Sequence, residues 1–160
     1  MLQERVLLGI DPGTSQMGYG VIRQTRRQLS AVHYGVLSLQ RVATLTLKLQ
    51  QIFDHVRALI ADFHPSAVVL EAPFYGKNAQ VMLKLGRAQG MAIAAALAQR
   101  IPIAEYAPRK IKQAVTGNGN ASKEQVARML VALLKLPTLP HALDASDALA
   151  VAVCHAYQKA

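Results

Sequence analysis

Two apolar runs in this chain each end on an acid: VLLGID, which closes on Asp11, and AVVLE, which closes on Glu71. A proline follows each acid within two residues, in GIDPG and VLEAP. A short, nearly unbroken apolar run is how a central strand covered on both faces reads, so AVVLE predicts a sheet with layers on each side. The carboxyl ends of strands in such sheets are where sites form. Burying one unpaired carboxylate costs several kcal/mol. Two of them side by side demand a cation or a proton.

The rest of the chain supplies the layers. Arg5–Asp11, Gly18–Arg23 and Ala31–Ser38 read as strands separated by Gly-rich or polar turns, which favours an antiparallel meander. Leu45, Leu49, Ile52, Val56, Leu59, Ile60 and Phe63 recur at helical spacing, and His64-Pro65 stops that helix. After the AVVLE strand a second helix is predicted from Ala79 to Arg100. It is rich in small residues, with Gly86 and Gly90 four apart on one face. Ile101–Tyr106 reads as a fifth strand, and Pro108 opens a short helix to Val115. TGNGNAS is a loop; Ser122 with Gln125 resembles a capping box for a helix over Lys123–Leu134. The last helix is expected to begin near Asp144 and to run to the end, leaving no long basic tail. The order β-β-β-α-β-α-β-α-α-α predicts an α/β fold: a mixed five-stranded sheet, three strands antiparallel and then two parallel, flanked by helices. No linker or repeat interrupts the 160 residues, so residues 1–160 are expected to form one domain.

Composition narrows the function classes. Half the residues are apolar (52%), enough for a sizeable core, and the formal net charge is +9. So strong a basic balance suggests a polyanionic partner, most often nucleic acid, although solubilising charge gives the same number. A single cysteine, Cys154, excludes an internal disulfide and any zinc site built from several thiolates. The N-terminus carries an acid and a Pro-Gly turn too early for a signal peptide. No unbroken apolar run approaches the roughly 20 residues of a membrane span. These features lead us to expect a cytoplasmic protein with no membrane association.

Nine acids are present, and Asp54, Asp62 and Glu124 fall on expected helix surfaces. Asp144 and Asp147 are spaced i, i+3 and share one face of the last helix. Taken alone, that pair also reads as an N-cap and a partner for the helix dipole. Together with Asp11 and Glu71 it provides the oxygen ligands that two Mg²⁺ ions need, with Mn²⁺ as a substitute. Two such ions, roughly 3.5–4 Å apart, hold the attacking and leaving oxygens of a phosphodiester. Ser and His occur without a third partner, so an acyl-transfer triad has little support.

GIDPGTSQMGYGVI, EAPFYGKNAQVMLKLGRAQG, RKIKQAVTGNGNASKEQV and LDASDALAVAVCH resemble, in order, the motifs of the bacterial Holliday junction resolvase family RuvC. The resemblance runs from about residue 6 to 157. It implies a ribonuclease H-like fold, a homodimer, and Mg²⁺-dependent paired nicking of four-way junction DNA in recombination and repair. It also suggests a branch-migration motor as a further partner. By that resemblance Asp11, Glu71, Asp144 and Asp147 are the metal-binding catalytic acids. Asp11 is expected to bridge the two ions because it comes from the central strand of the meander, with Glu71 holding one ion and Asp144 and Asp147 the other. PHALDASD is one residue longer than the expected pattern, and some relatives use His at the first helical acid, so His141 keeps a claim as ligand or proton acceptor.

Lys112 and Lys123 match basic positions that the family uses near the scissile phosphate, and Lys110 joins them beside the TGNGN loop. Lys77, Lys84, Arg87 and Arg109 are further candidates for phosphate contact. Phe74 matches a residue at the junction centre that stacks on an unpaired base; Tyr75 is left open between stacking and core. Two matching nicks need two sites related by a two-fold axis. The Ala79–Arg100 helix is a candidate dimer face, with packing inside the monomer as the other reading. Three other functions compete: a non-cleaving module for branched nucleic acid, a related ATPase sharing GIDPGT, and a nuclease for structured RNA or RNA–DNA hybrids.

Overall fold

The computed structural model describes residues 3–73 and 76–158. Three strands form an antiparallel meander: β1 (Glu4–Asp11), β2 (Gln16–Thr25) and β3 (Gln28–Ser38). Helix α1 (Leu45–Phe63) then carries the chain across to β4 (Ala67–Glu71), which pairs in parallel with the free edge of β1. Helix α2 (Ala79–Ala98) leads to β5 (Ile103–Tyr106), parallel to β4. Helices α3 (Pro108–Thr116), α4 (Lys123–Leu134) and α5 (Leu143–Ala156) complete the described chain. The sheet order is β3-β2-β1-β4-β5, the mixed sheet that the element order predicts. In the meander the middle strand is β2; β1 becomes central to the whole sheet only because β4 joins its other edge.

Strand alternation sorts the core into two layers. Leu8, Ile10, Val21, Val68 and Leu70 point to one side and pack with α1 and α2. Leu7, Ile22, Ala67 and Val69 point to the other and pack with α3, α4 and α5. Asp11 shares the parity of Leu7, and Glu71 that of Val69, so both acids stand on the second side. Ile10 is paired with Leu70, which sets the two acids side by side at the carboxyl ends of neighbouring strands.

Several boundaries differ from the sequence reading. Strand β2 starts at Gln16, two residues earlier than expected, and extends to Thr25, where Arg23 pairs with Glu4 at 2.7 Å. Strand β5 starts later, at Ile103, because α2 closes first: Arg100 takes a left-handed φ of 58° and the Ile101 N–H returns to the Ala96 carbonyl. Helix α5 stops at Ala156 rather than at the chain end. Helix α2, although it holds Lys84 and Arg87, is long and apolar enough to cross a membrane by length and composition, which counting unbroken apolar runs missed. Its buried residues, Ala88, Ala92, Ala95 and Ala96, form a narrow stripe packed into the core with α1.

Helix starts follow local chemistry. Thr44 caps α1 and Asn78 caps α2. Ser122 and Gln125 form the expected capping box of α4, at 3.1 and 2.8 Å. Helix α5 begins after Ala142 with no side-chain cap.

Candidate active site

Two close approaches bring α5 onto the acid end of the sheet. Gly18 is the cross-strand partner of Asp11, and a Cβ there would lie 2.0 Å from the Asp144 carbonyl oxygen. A Cβ on Gly9, one pleat back, would lie 1.9 Å from the Ala148 carbonyl oxygen. Only missing side chains allow a helix backbone this near a strand backbone. The far end of α5 is tied to the same strands: the Arg5 guanidinium and the Gln24 amide both donate to the Ala156 carbonyl at 3.2 Å.

The first turn of α5 therefore lands beside Asp11. One carboxylate oxygen each from Asp11, Asp144 and Asp147 lie within 4.8 Å of one another. The N-cap reading of the helical pair fails: Ala142 is the cap, and Asp144 sits inside the first turn with its side chain in the site. Glu71 stands outside this tight trio but lines the same cleft, of about 370 Å³, with Lys112 and Lys123.

The electrostatics are those of negative charge only partly compensated by lysine. Burial, a hydrogen bond with the Asp144 carboxyl, and the charges of Asp147, Asp144 and Glu71 push Asp11 from 3.8 up to about 8. Glu71 is raised by burial and by Asp147, against the opposing pull of Lys123 and Lys112. Burial also raises Asp147, while Lys123, 3.5 Å away, opposes it. Lys123 in turn is raised chiefly by Asp147. A cleft of this kind, offering only carboxylate oxygens as metal donors, suits a hard divalent cation.

The other expected residues separate. Lys110 is exposed and lies over the Tyr106 ring, 5.3 Å from its centroid, rather than in the acid cleft. His141 is exposed and outside the trio; the position beside Asp11 is taken by Asp144. Phe74 and Tyr75 lie outside the described residues. One partner was missed by sequence reasoning: the Gln16 side-chain amide donates a hydrogen bond to Asp144.

Residues 7–155 match the family described as "Crossover junction endodeoxyribonuclease RuvC". The chain belongs to the RuvC family. A Cytophaga hutchinsonii RuvC is 54% identical over 156 residues, covering 98% of this chain and 78% of that protein. The Porphyromonas gingivalis RuvC is 53% identical, covering 98% of this chain and 84% of its own length. Among solved structures, Thermus thermophilus RuvC in complex with a Holliday junction substrate superposes with a TM-score of 0.90 at 32% identity, covering 96% of this chain and 93% of that one. A yeast mitochondrial Holliday junction resolvase shares the fold at 15% identity, with a TM-score of 0.68. The sheet of this RuvC-family chain is the ribonuclease H-like arrangement that its motifs imply.

Proposed function

We propose that Asp11, Glu71, Asp144 and Asp147 form the divalent-metal active site with which this RuvC-family endodeoxyribonuclease nicks four-way DNA junctions. The observation that carries the reading is the convergence of three carboxylates within 4.8 Å at the carboxyl end of the central strand, with a fourth in the same cleft. A Mg²⁺ pair, once bound, supplies an activated water and stabilises the leaving 3′ oxygen. Asp11, centred between Glu71 on β4 and the two acids of α5, is the candidate bridging ligand. Glu71 is assigned to one ion, and Asp144 and Asp147 to the other.

Lys112 and Lys123 supply positive charge at the mouth of the cleft and are assigned to the phosphate of the strand being cut. Lys110 is assigned to the DNA backbone farther from the cut. Phe74, three residues past Glu71, is assigned to stacking on an unpaired base at the junction centre.

Paired nicks require a two-fold dimer, and α2 is the face assigned to it. Gly86 and Gly90 are exposed with nothing within 4 Å of an added Cβ, which disfavours packing inside the monomer as their role. Leu83 and Leu97, on the same side of the helix as the two glycines, leave more than half of their surface open. A second copy of α2 would cover such a surface. A bacterial enzyme of this activity works on chromosomal DNA, so we assign it to the cytoplasm, where a branch-migration motor can share its substrate.

The test is nicking of a synthetic four-way junction in Mg²⁺ by the wild type and by Asp11→Asn, Glu71→Gln, Asp144→Asn and Asp147→Asn. Each substitution is expected to lower the rate by more than the roughly 100-fold typical of losing an outer-shell partner, with junction binding retained. Equal rates on junction and linear duplex, or full activity of the amide variants, would overturn the proposal.

A further inference from the structure

We infer that Gln16 is a positioning residue for the acid centre, its side-chain amide holding the Asp144 carboxylate in the orientation that metal binding requires. This rests on the metal-binding role proposed above and adds a residue to it. Gln16 opens β2, where it pairs with Ser38, two residues before Gly18 pairs with Asp11. Alternation along a strand puts residues two apart on one face. Gln16 therefore projects to the α5 side, one pleat beyond the point where α5 touches the sheet.

Its backbone is held from two directions. The carbonyl of the preceding Ser15 accepts the Leu39 N–H at 2.9 Å. Gly13 packs so near the Gln16 carbonyl that a Cβ would lie 2.6 Å from its oxygen. Asp144, by contrast, arrives on the first turn of a helix with no side-chain cap, after a connection of mostly irregular chain. Among the described residues, the Gln16 amide is its one side-chain hydrogen-bond donor from outside the acid cluster, where the Asp11 carboxyl also bonds it. An ionised carboxylate only accepts, so the amide nitrogen must face it. The bond engages Oδ2 of the Asp144 carboxylate.

The chemistry of the donor matters. Lys123 neutralises part of the charge on Asp147, which competes with a cation for that group. A neutral amide orients its carboxylate and leaves the full negative charge available. Hydrogen bonds of this kind to metal-ligating carboxylates typically change metal affinity 10–100-fold when removed.

The experiment compares the intact wild type, Gln16→Met and Asp11→Asn. Methionine keeps the length and shape of the side chain and removes the donor. Mn²⁺ binding is read from the electron paramagnetic resonance signal of the free ion, junction affinity from a gel shift without metal, and nicking from its Mg²⁺ dependence. Gln16→Met is expected to melt like the wild type, bind the junction equally, bind Mn²⁺ about 10-fold more weakly, and need correspondingly more Mg²⁺ to reach half its maximal rate. Mn²⁺ affinity equal to the wild type overturns the role of Gln16 while leaving the metal centre standing. If the wild type binds Mn²⁺ no better than Asp11→Asn, the metal centre itself falls and the positioning role falls with it.

Discussion

Asp11 is the residue on which folding and the proposed metal-binding role pull in opposite directions. Its carboxyl is raised from 3.8 to about 8, first by burial and then by its acidic neighbours. Between about pH 4 and pH 8 the metal-free native protein therefore holds a proton that the unfolded chain has lost. The stability tied to that proton is complete below about pH 4 and is lost as pH rises through 8, amounting to several kcal/mol as an upper bound. Glu71 and Asp147 shift in the same direction. Metal-free wild type is thus expected to melt at lower temperature at pH 8 than at pH 5.5, and Asp11→Asn to remove much of that difference. Adding Mg²⁺ at pH 8 should raise the wild-type melting temperature and leave Asp11→Asn nearly unmoved; calorimetry checks both. Lys123→Ala should alter stability by less than about 1 kcal/mol, because the lysine end of its ion pair with the half-buried Asp147 is largely exposed. The same change should slow nicking severalfold, read in a single-turnover assay. The acids were legible in the sequence because each closes an apolar run or shares a helical face. Gln16 was not: the apolar pattern placed the start of β2 at Gly18, which left Gln16 in a turn with no defined face.

At the scale of elements, the seating of α5 on β1 and β2 decides whether a site exists. Gly18→Ala would push a methyl group against the Asp144 carbonyl, only 2.0 Å from the Cβ position. Overpacking of this kind costs typically 1–3 kcal/mol, and here it lifts the helix that carries two of the four acids. A denaturant melt should show that loss, and junction nicking should fall further than stability alone explains. Ser122→Ala should cost about 1 kcal/mol through the capping box, without moving the acids. Element order, strand pairing and the α4 boundaries were readable from periodicity, capping residues and Pro-Gly punctuation. The start of β5 was not, because the backbone turn at Arg100 that closes α2 leaves no mark in an apolar pattern. The reason for Gly9 and Gly18 was equally hidden: glycine in a strand signals a close approach without naming what approaches.

For the whole molecule, the open surface of α2 and the charge of +9 are the features to which we assign assembly and substrate capture. Gly86→Glu should leave the melting of the monomer nearly unchanged, since no neighbour lies within 4 Å, and should weaken self-association in sedimentation. Junction affinity should fall linearly in log–log form as salt rises. The sequence showed that α2 is rich in small residues but could not show which side stayed uncovered; that depended on how α1 met its alanine stripe. Helix α5 remains pinned at its head by Gly18 and at its tail by Arg5 and Gln24. A rod bolted at both ends to one plate cannot swing. The acid centre proposed above is therefore expected to be set before substrate arrives, which assigns the adjustment needed to present a phosphate to the branched nucleic acid.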